Sequence, residues 1–132
     1  MALFEYRYLN VISGSAVSSL DVNGASVFTI NATANFITES IGVDKSTNYT
    51  DYRITPASIT GTTGTLTYQT SQDGINWDTV KDNSGNDIVY TVNGSMATVR
   101  VHNEVVRGTQ ERWNFSKGDT SVGTITISVV RG

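Results

Sequence analysis

The segment Gly64-Thr-Leu-Thr-Tyr-Gln-Thr-Ser-Gln-Asp-Gly-Ile-Asn-Trp-Asp-Thr-Val80 decides the fold class. Residues 64–70 alternate, with Leu66 and Tyr68 on one face and Thr65, Thr67 and Gln69 on the other. A period of two is the mark of a half-buried strand. Ser71-Gln72-Asp73-Gly74 interrupts the run, and residues 76–80 resume it. Glycine accepts the positive φ that a tight turn needs, and aspartate can bond its own backbone two residues on. The segment therefore predicts a β-hairpin whose corner is Ser71, Asp73 and Gly74. Trp77 falls back into the returning strand, where it can cover a sheet edge. None of this requires a ligand.

The same alternation recurs on both sides of the hairpin. Residues 3–9 set Phe4, Tyr6 and Tyr8 against Glu5 and Arg7, and residues 26–31 put Phe28 and Ile30 on one face. Residues 16–20 read as a short strand, and residues 34–37 as a continuation of the 26–31 strand after a bulge. Residues 52–55 and 58–60 read as strands flanking Pro56, which lacks a ladder donor and so marks an edge or a break. Residues 87–92 present Ile88, Tyr90 and Val92 together. Asn93-Gly94 then predicts a tight hairpin turn, with the return through residues 96–102. Residues 109–115 set Glu111, Trp113 and Phe115 on one face, and residues 123–131 point Ile125, Ile127 and Val129 inward. Residues 39–51 keep no period and read as a long surface loop, the kind of segment on which function varies.

Eight to ten short strands with turn clusters between them, and no helical period, predict an all-β fold. The expected architecture is an antiparallel β-sandwich, jelly-roll-like. Composition agrees. Val, Ile and Thr number 44 against 4 Leu, and β-branched side chains fit a pleated sheet better than a helix. At 132 residues the chain is expected to form a single domain, residues 1–132, with a real core.

Charge and composition narrow the function classes. The net charge is −3 with no basic block, so the electrostatic footprint of a nucleic-acid binder is missing. No apolar run reaches the length of a membrane span, and the N-terminus lacks the pattern of a secretory signal. There is no cysteine, hence no disulfide framework and no thiolate ligand. Four Asn-x-Ser/Thr triplets begin at Asn31, Asn48, Asn93 and Asn114. A chain this rich in Asn, Ser and Thr produces them by composition, and glycosylation is not expected.

Little in the chain resembles reaction chemistry. His102 is the one histidine and reads as a polar residue near a strand end. A lone histidine without cysteine cannot assemble a zinc site, and no G-x-S-x-G elbow is present. The aspartates at 73, 78, 82 and 87 sit in turns or at strand edges rather than as a pair across a cleft, as glycoside hydrolysis needs. Residues Asp82 to Asp87 offer oxygen ligands around Gly85 but lack the distal glutamate of an EF-hand; ordinary turn chemistry accounts for them. The chain is therefore expected to have no catalytic residues, no cofactor and no metal. Trp77 and Trp113 fall in strand patterns and read as packing residues. Tyr49, with Asp51 and Tyr52 beside it, is the more plausible contact for a partner or a glycan.

Residues 64–80, in the form "strand, S-x-D-G-x-x-W, strand", resemble a hairpin of small β-sandwich proteins in tailed-bacteriophage particles, also found in discoidin-like carbohydrate-binding domains. Arg112-Trp-Asn-Phe115, a polar turn and residues 123–131 resemble the closing strands of those phage proteins, so the likeness covers about residues 64–131. The resemblance implies a non-enzymatic virion structural protein: a capsid decoration, head-fibre or neck/tail component, made in the bacterial cytoplasm. It implies other virion subunits as partners and a homo-oligomer. The alternative it implies is a carbohydrate-binding host-adhesion module.

Overall fold

The computed structural model describes residues 16–20, 26–38, 41–42, 49–104 and 109–131. Its strands are β1 (Ala16–Leu20), β2 (Ser26–Asn31), β3 (Phe36–Ile37), β4 (Ile41–Gly42), β5 (Tyr49–Ala57) and β6 (Gly64–Ser71). They continue as β7 (Asp78–Thr79), β8 (Val89–Val92), β9 (Val99–Glu104), β10 (Gln110–Ser116) and β11 (Thr124–Arg131). One sheet has the order β1-β2-β11-β5-β9, and the other β3-β10-β6-β7, with β4 also on β10 and β8 also on β6. Every pairing is antiparallel.

The short pieces explain why the described residues alone hold eleven strands where eight to ten were expected for the chain. β3 and β4 pair with different parts of β10, and β7 and β8 with different parts of β6, so each couple acts as one interrupted strand. Counted that way, the chain crosses between sheets at nearly every step after β2. Such crossing between two packed antiparallel sheets is the jelly-roll arrangement.

The alternation read in the sequence is the alternation of burial. Tyr52 and Ile54 of β5, Val101 of β9, and Ile125, Ile127 and Val129 of β11 line one inner face. Phe36, Leu66, Tyr68, Val92, Trp113 and Phe115 line the other. Trp113 pairs in register with Tyr68, their rings stacked with centroids 4.8 Å apart. Tyr52 reaches across from the opposite sheet and meets Trp113 edge-on at 5.4 Å. Such aromatic pairs add about 0.5–1.5 kcal/mol each beyond the area they bury.

Several expectations are corrected. Residues 34–37 do not extend β2: the chain turns after Asn31, and Phe36–Ile37 pairs with β10 in the other sheet. The supposed loop at 39–51 contains β4, and β5 starts at Tyr49; residues 43–48 lie outside the described residues, as does the aromatic run at 3–9. Backbone pairing to β10 leaves no side-chain period to read. Residues 58–60 are not a strand, and Ser58 has a φ of 55°. Instead β5 runs through Pro56. Its pairing with β9 ends at Ile54 opposite Val99, so the proline lies where β11 is the neighbour on one side only. The returning arm of the hairpin shrinks to β7.

Asn93-Gly94 does not close a hairpin, because β8 belongs with β6 and β9 with β5. It carries the chain between sheets. Neither residue has the positive φ of a two-residue hairpin turn. Instead the Asn93 side-chain oxygen accepts from Ser95 N–H at 2.8 Å, and its carbonyl from Met96 N–H at 3.2 Å.

Candidate functional site

β9 is the outer strand of its sheet, and β7 and β8 lie on the outer side of β6 in the other. Between these edges runs a groove of about 700 Å³. Lys81, Asp82 and Tyr90 line it from one sheet, and Arg100, His102, Asn103 and Glu104 from the other. A second hollow of about 290 Å³ shares Lys81, Asn103 and Glu104 and continues toward β7. The volume of the first falls within the range of small-molecule sites.

Most of the polar groups along the groove are held from behind. Lys81 Nζ donates to Asp87 Oδ1 at 2.6 Å. His102 Nδ1 lies 2.5 Å from Asp51 Oδ1, and its ring is 5.3 Å from that of Tyr49. Asp82 Oδ1 accepts from the N–H groups of Ser84 and Asn86, so this carboxylate is occupied in closing its own turn, with Gly85 at φ 82°. The Tyr90 ring stacks toward Trp113 at 6.4 Å. Burial and the nearby Asp82 charge raise its hydroxyl above the usual phenol range, which keeps it a donor.

Directly behind Asn103 lies Glu111, a fully buried carboxylate. Asn103 Nδ2 donates to its Oε1 at 2.9 Å, Thr50 Oγ1 to Oε1 at 3.1 Å, and the Tyr52 hydroxyl to Oε2 at 3.2 Å. The Tyr68 hydroxyl also donates to Oε1. Burial first, and the Glu111 charge second, push the Tyr68 phenol far above its ordinary value, so it remains a donor throughout the accessible pH range. Thr50, Tyr52 and Asn103 come from one sheet, and Glu111 and Tyr68 from the other. The carboxylate thus clamps the two sheets together at the back of the groove. Hydrogen bonding to four neutral donors is what makes such burial tolerable.

The hairpin corner lies elsewhere and is closed on itself. Asp73 Oδ1 accepts from Ile75 and Asn76 N–H, each at 2.8 Å, and from the Ser71 hydroxyl at 3.0 Å. Its Oδ2 accepts from Asn76 Nδ2 at 2.7 Å. Ser71 Oγ accepts in turn from Gly74 N–H at 2.8 Å, and Gly74 holds φ 75°. These bonds favour the carboxylate and hold Asp73 well below the usual acid range. Trp77 is half-buried, with the Arg112 guanidinium 4.0 Å above its ring, and Arg112 also donates to Gln69 Oε1 at 2.8 Å.

The three contact candidates separate. Tyr49 and Asp51 are half-buried and meet His102 beside the groove. Tyr52 is only 1% exposed; its ring packs in the core and its hydroxyl serves Glu111, so it is not a surface contact. Strand alternation explains the split, because residues 49 and 51 face opposite to 50 and 52. Apart from the turn at Asp82 to Asp87, no local pattern marks residues 81–90 and 100–104 as a site, since the groove exists only once two sheets are stacked. Asp119 was also missed. It accepts from Thr62 and Thr63 N–H at 2.9 Å each and from the Thr63 hydroxyl at 2.9 Å, which lowers its carboxyl to about 2. It ties together two loops more than fifty residues apart.

Among the described residues, no group of three or more His, Cys, Asp or Glu side chains could hold a metal ion, and no helix is long and apolar enough to cross a membrane. No family model and no curated protein matches the chain. Solved structures similar to it include the K1 cleaved adhesin domain of Lys-gingipain from Porphyromonas gingivalis. That pair is 11% identical with a TM-score of 0.45, over 93% of each chain. Another is the enzymatically active domain of tailspike protein 4 from bacteriophage CBA120, at 19% identity and a TM-score of 0.39. The match covers 99% of this chain and 20% of the tailspike chain.

Proposed function

We propose that this chain is a non-enzymatic structural component of a tailed-phage particle, as a capsid decoration, head-fibre or neck/tail subunit. It works by burying surface against neighbouring subunits and copies of itself. The observation that carries this reading is where the phage-like residues lie. The stretch 64–131 supplies β6 and β10 at the centre of one sheet and β11 at the centre of the other. The hairpin signature inside it is a folding device: Asp73 and Ser71 spend their hydrogen bonds on their own loop. The Asp51–His102 pair lies on an open face, with side chains 39% and 56% exposed, rather than in a closed reaction site.

Symmetric self-association is the usual way such components build a particle. Size-exclusion chromatography with light scattering tests it: a discrete oligomer supports the assembly reading, and a monomer at every concentration up to the solubility limit counts against it.

A second reading, carbohydrate-binding host adhesion, is favoured by the groove beside β9, which is polar and whose side chains are largely fixed before any ligand arrives.

A further inference from the structure

We infer that the groove between β9 and residues 81–90 is a binding site for a neutral oligosaccharide. The inference rests on the adhesion reading and does not depend on assembly into a particle.

Charge selects the class of ligand. The bases Lys81, Arg100 and His102 line the groove together with the acids Asp82, Asp87 and Glu104. Lys81 and Asp87 neutralise each other, and Asp82 is engaged by its own turn. Among the described residues the backbones of Arg100 and Glu104 belong to the β5–β9 ladder, while their side chains form no hydrogen bond or ion pair. They are exposed on the same face of β9, two positions either side of His102. With bases and acids balanced among its described lining residues, the groove has little net field with which to hold a phosphate, a sulfate or a polyanion. It does offer donors and acceptors side by side. Planar guanidinium and carboxylate forks form two parallel hydrogen bonds, and vicinal hydroxyls of a sugar ring present the donors and acceptors that match both.

Rigidity supplies the second line of support. The Asn103 amide is fixed by its bond to Glu111, His102 by Asp51, and the Tyr90 ring by its stacking toward Trp113. Tyr90 is half-buried and offers an aromatic surface with a polar tip, suited to the mixed C–H and O–H faces of a sugar. Side chains already held in place lose little entropy when a ligand binds. The continuation of the groove into the hollow past Lys81 and Glu104 lengthens the site beyond one ring, which points to an oligosaccharide rather than a monosaccharide.

The test is a titration of ¹⁵N-labelled full chain, followed by amide chemical shifts. The probes are maltotriose, mannotriose and chitotriose, with sialyllactose and a sulfated disaccharide as acidic comparators. The expected result is saturable shifts centred on residues 81–90 and 100–104 with at least one neutral probe. The dissociation constant should lie at about 0.1–10 mM, as suits a shallow site. Arg100→Ala and Glu104→Gln should each weaken that binding about tenfold, the worth of one charged hydrogen bond, while the remaining amide spectrum is unchanged. Three results would overturn the inference. Shifts centred on residues 73–77 would move the site and leave the adhesion reading standing. Saturation at the groove by acidic probes alone would reverse the ligand class. The absence of shifts with every sugar would remove both the groove site and the support it gives to adhesion.

Discussion

Replacing Glu111 by alanine tests whether the buried carboxylate is what joins the two sheets. Four donors converge on it: Thr50, Tyr52, Tyr68 and Asn103. Asn103 borders the groove and can turn to water, but Thr50, Tyr52 and Tyr68 are at most 1% exposed. Each buried donor left without an acceptor costs about 1–3 kcal/mol, and because Thr50 and Tyr52 also hydrogen-bond the Tyr68 hydroxyl, at most two are left so, for a cost of about 2–6 kcal/mol. Two effects reduce this. Removing the charge relieves its own desolvation, and the space left by the side chain can admit a water that serves some of the donors. The expected net loss is about 2 kcal/mol or more, a sizeable part of the 5–15 kcal/mol that stabilises a typical domain. Glu111→Gln keeps the shape and one acceptor but turns an amide N–H₂ toward one set of donors, and should cost about 1–3 kcal/mol. Tyr68→Phe removes a single donor, and combined with Glu111→Gln it should show coupling, since residues in one network do not add. Urea denaturation followed by tryptophan fluorescence reads all four proteins, because Trp113 packs against both Tyr52 and Tyr68. A loss below about 0.5 kcal/mol for Glu111→Ala, within the range of an ordinary surface substitution, would refute the clamp.

Three further outcomes are expected. Asp73 and Asp119 have folded-state carboxyls depressed by hydrogen bonds, Asp119 to about 2 against an ordinary 3.8; the unfolded chain therefore binds more protons between about pH 4 and 2. The stability Asp119 confers is present above about pH 4 and is lost as pH falls through that window, the loss from Asp73 extending to lower pH, and Asp119→Asn should flatten the acid limb of a plot of melting temperature against pH. Trp77→Ala should leave the protein folded and lower its denaturation midpoint by the equivalent of about 0.5–1 kcal/mol, the value of an exposed cation–π contact such as that with Arg112. Gly123→Ala should lower the melting temperature sharply: φ is 134°, and a Cβ there would lie 2.9 Å from the Ile59 Cα and 2.5 Å from its Cδ1. Thermal denaturation by circular dichroism checks both variants.

The strand alternation was legible because burial has the same period. Leu66 and Tyr68, Trp113 and Phe115, and Ile125, Ile127 and Val129 all point inward as their spacing required. The Ser71–Asp73–Gly74 corner was legible for a similar reason, since its bonds are local. Glu111 carried a readable sign: it shares a face with Trp113 and Phe115, and a charge in phase with two core aromatics must be buried and satisfied. What could not be read was which strands are neighbours. Asn93-Gly94 has the composition of a hairpin turn, but its flanking strands join different sheets because β6 and β5 claim them. The groove, the four donors around Glu111 and the Asp119 tie all depend on residues brought together over long separations, and no local pattern records them.

The claim that this chain is a virion structural component meets its most direct test in quantitative mass spectrometry of purified particles from a phage that encodes it. The account predicts the chain in the particles at a fixed multiple or fraction of the major capsid protein, retained after washing in high salt. Its presence in the infected-cell lysate but not in washed particles would contradict the account.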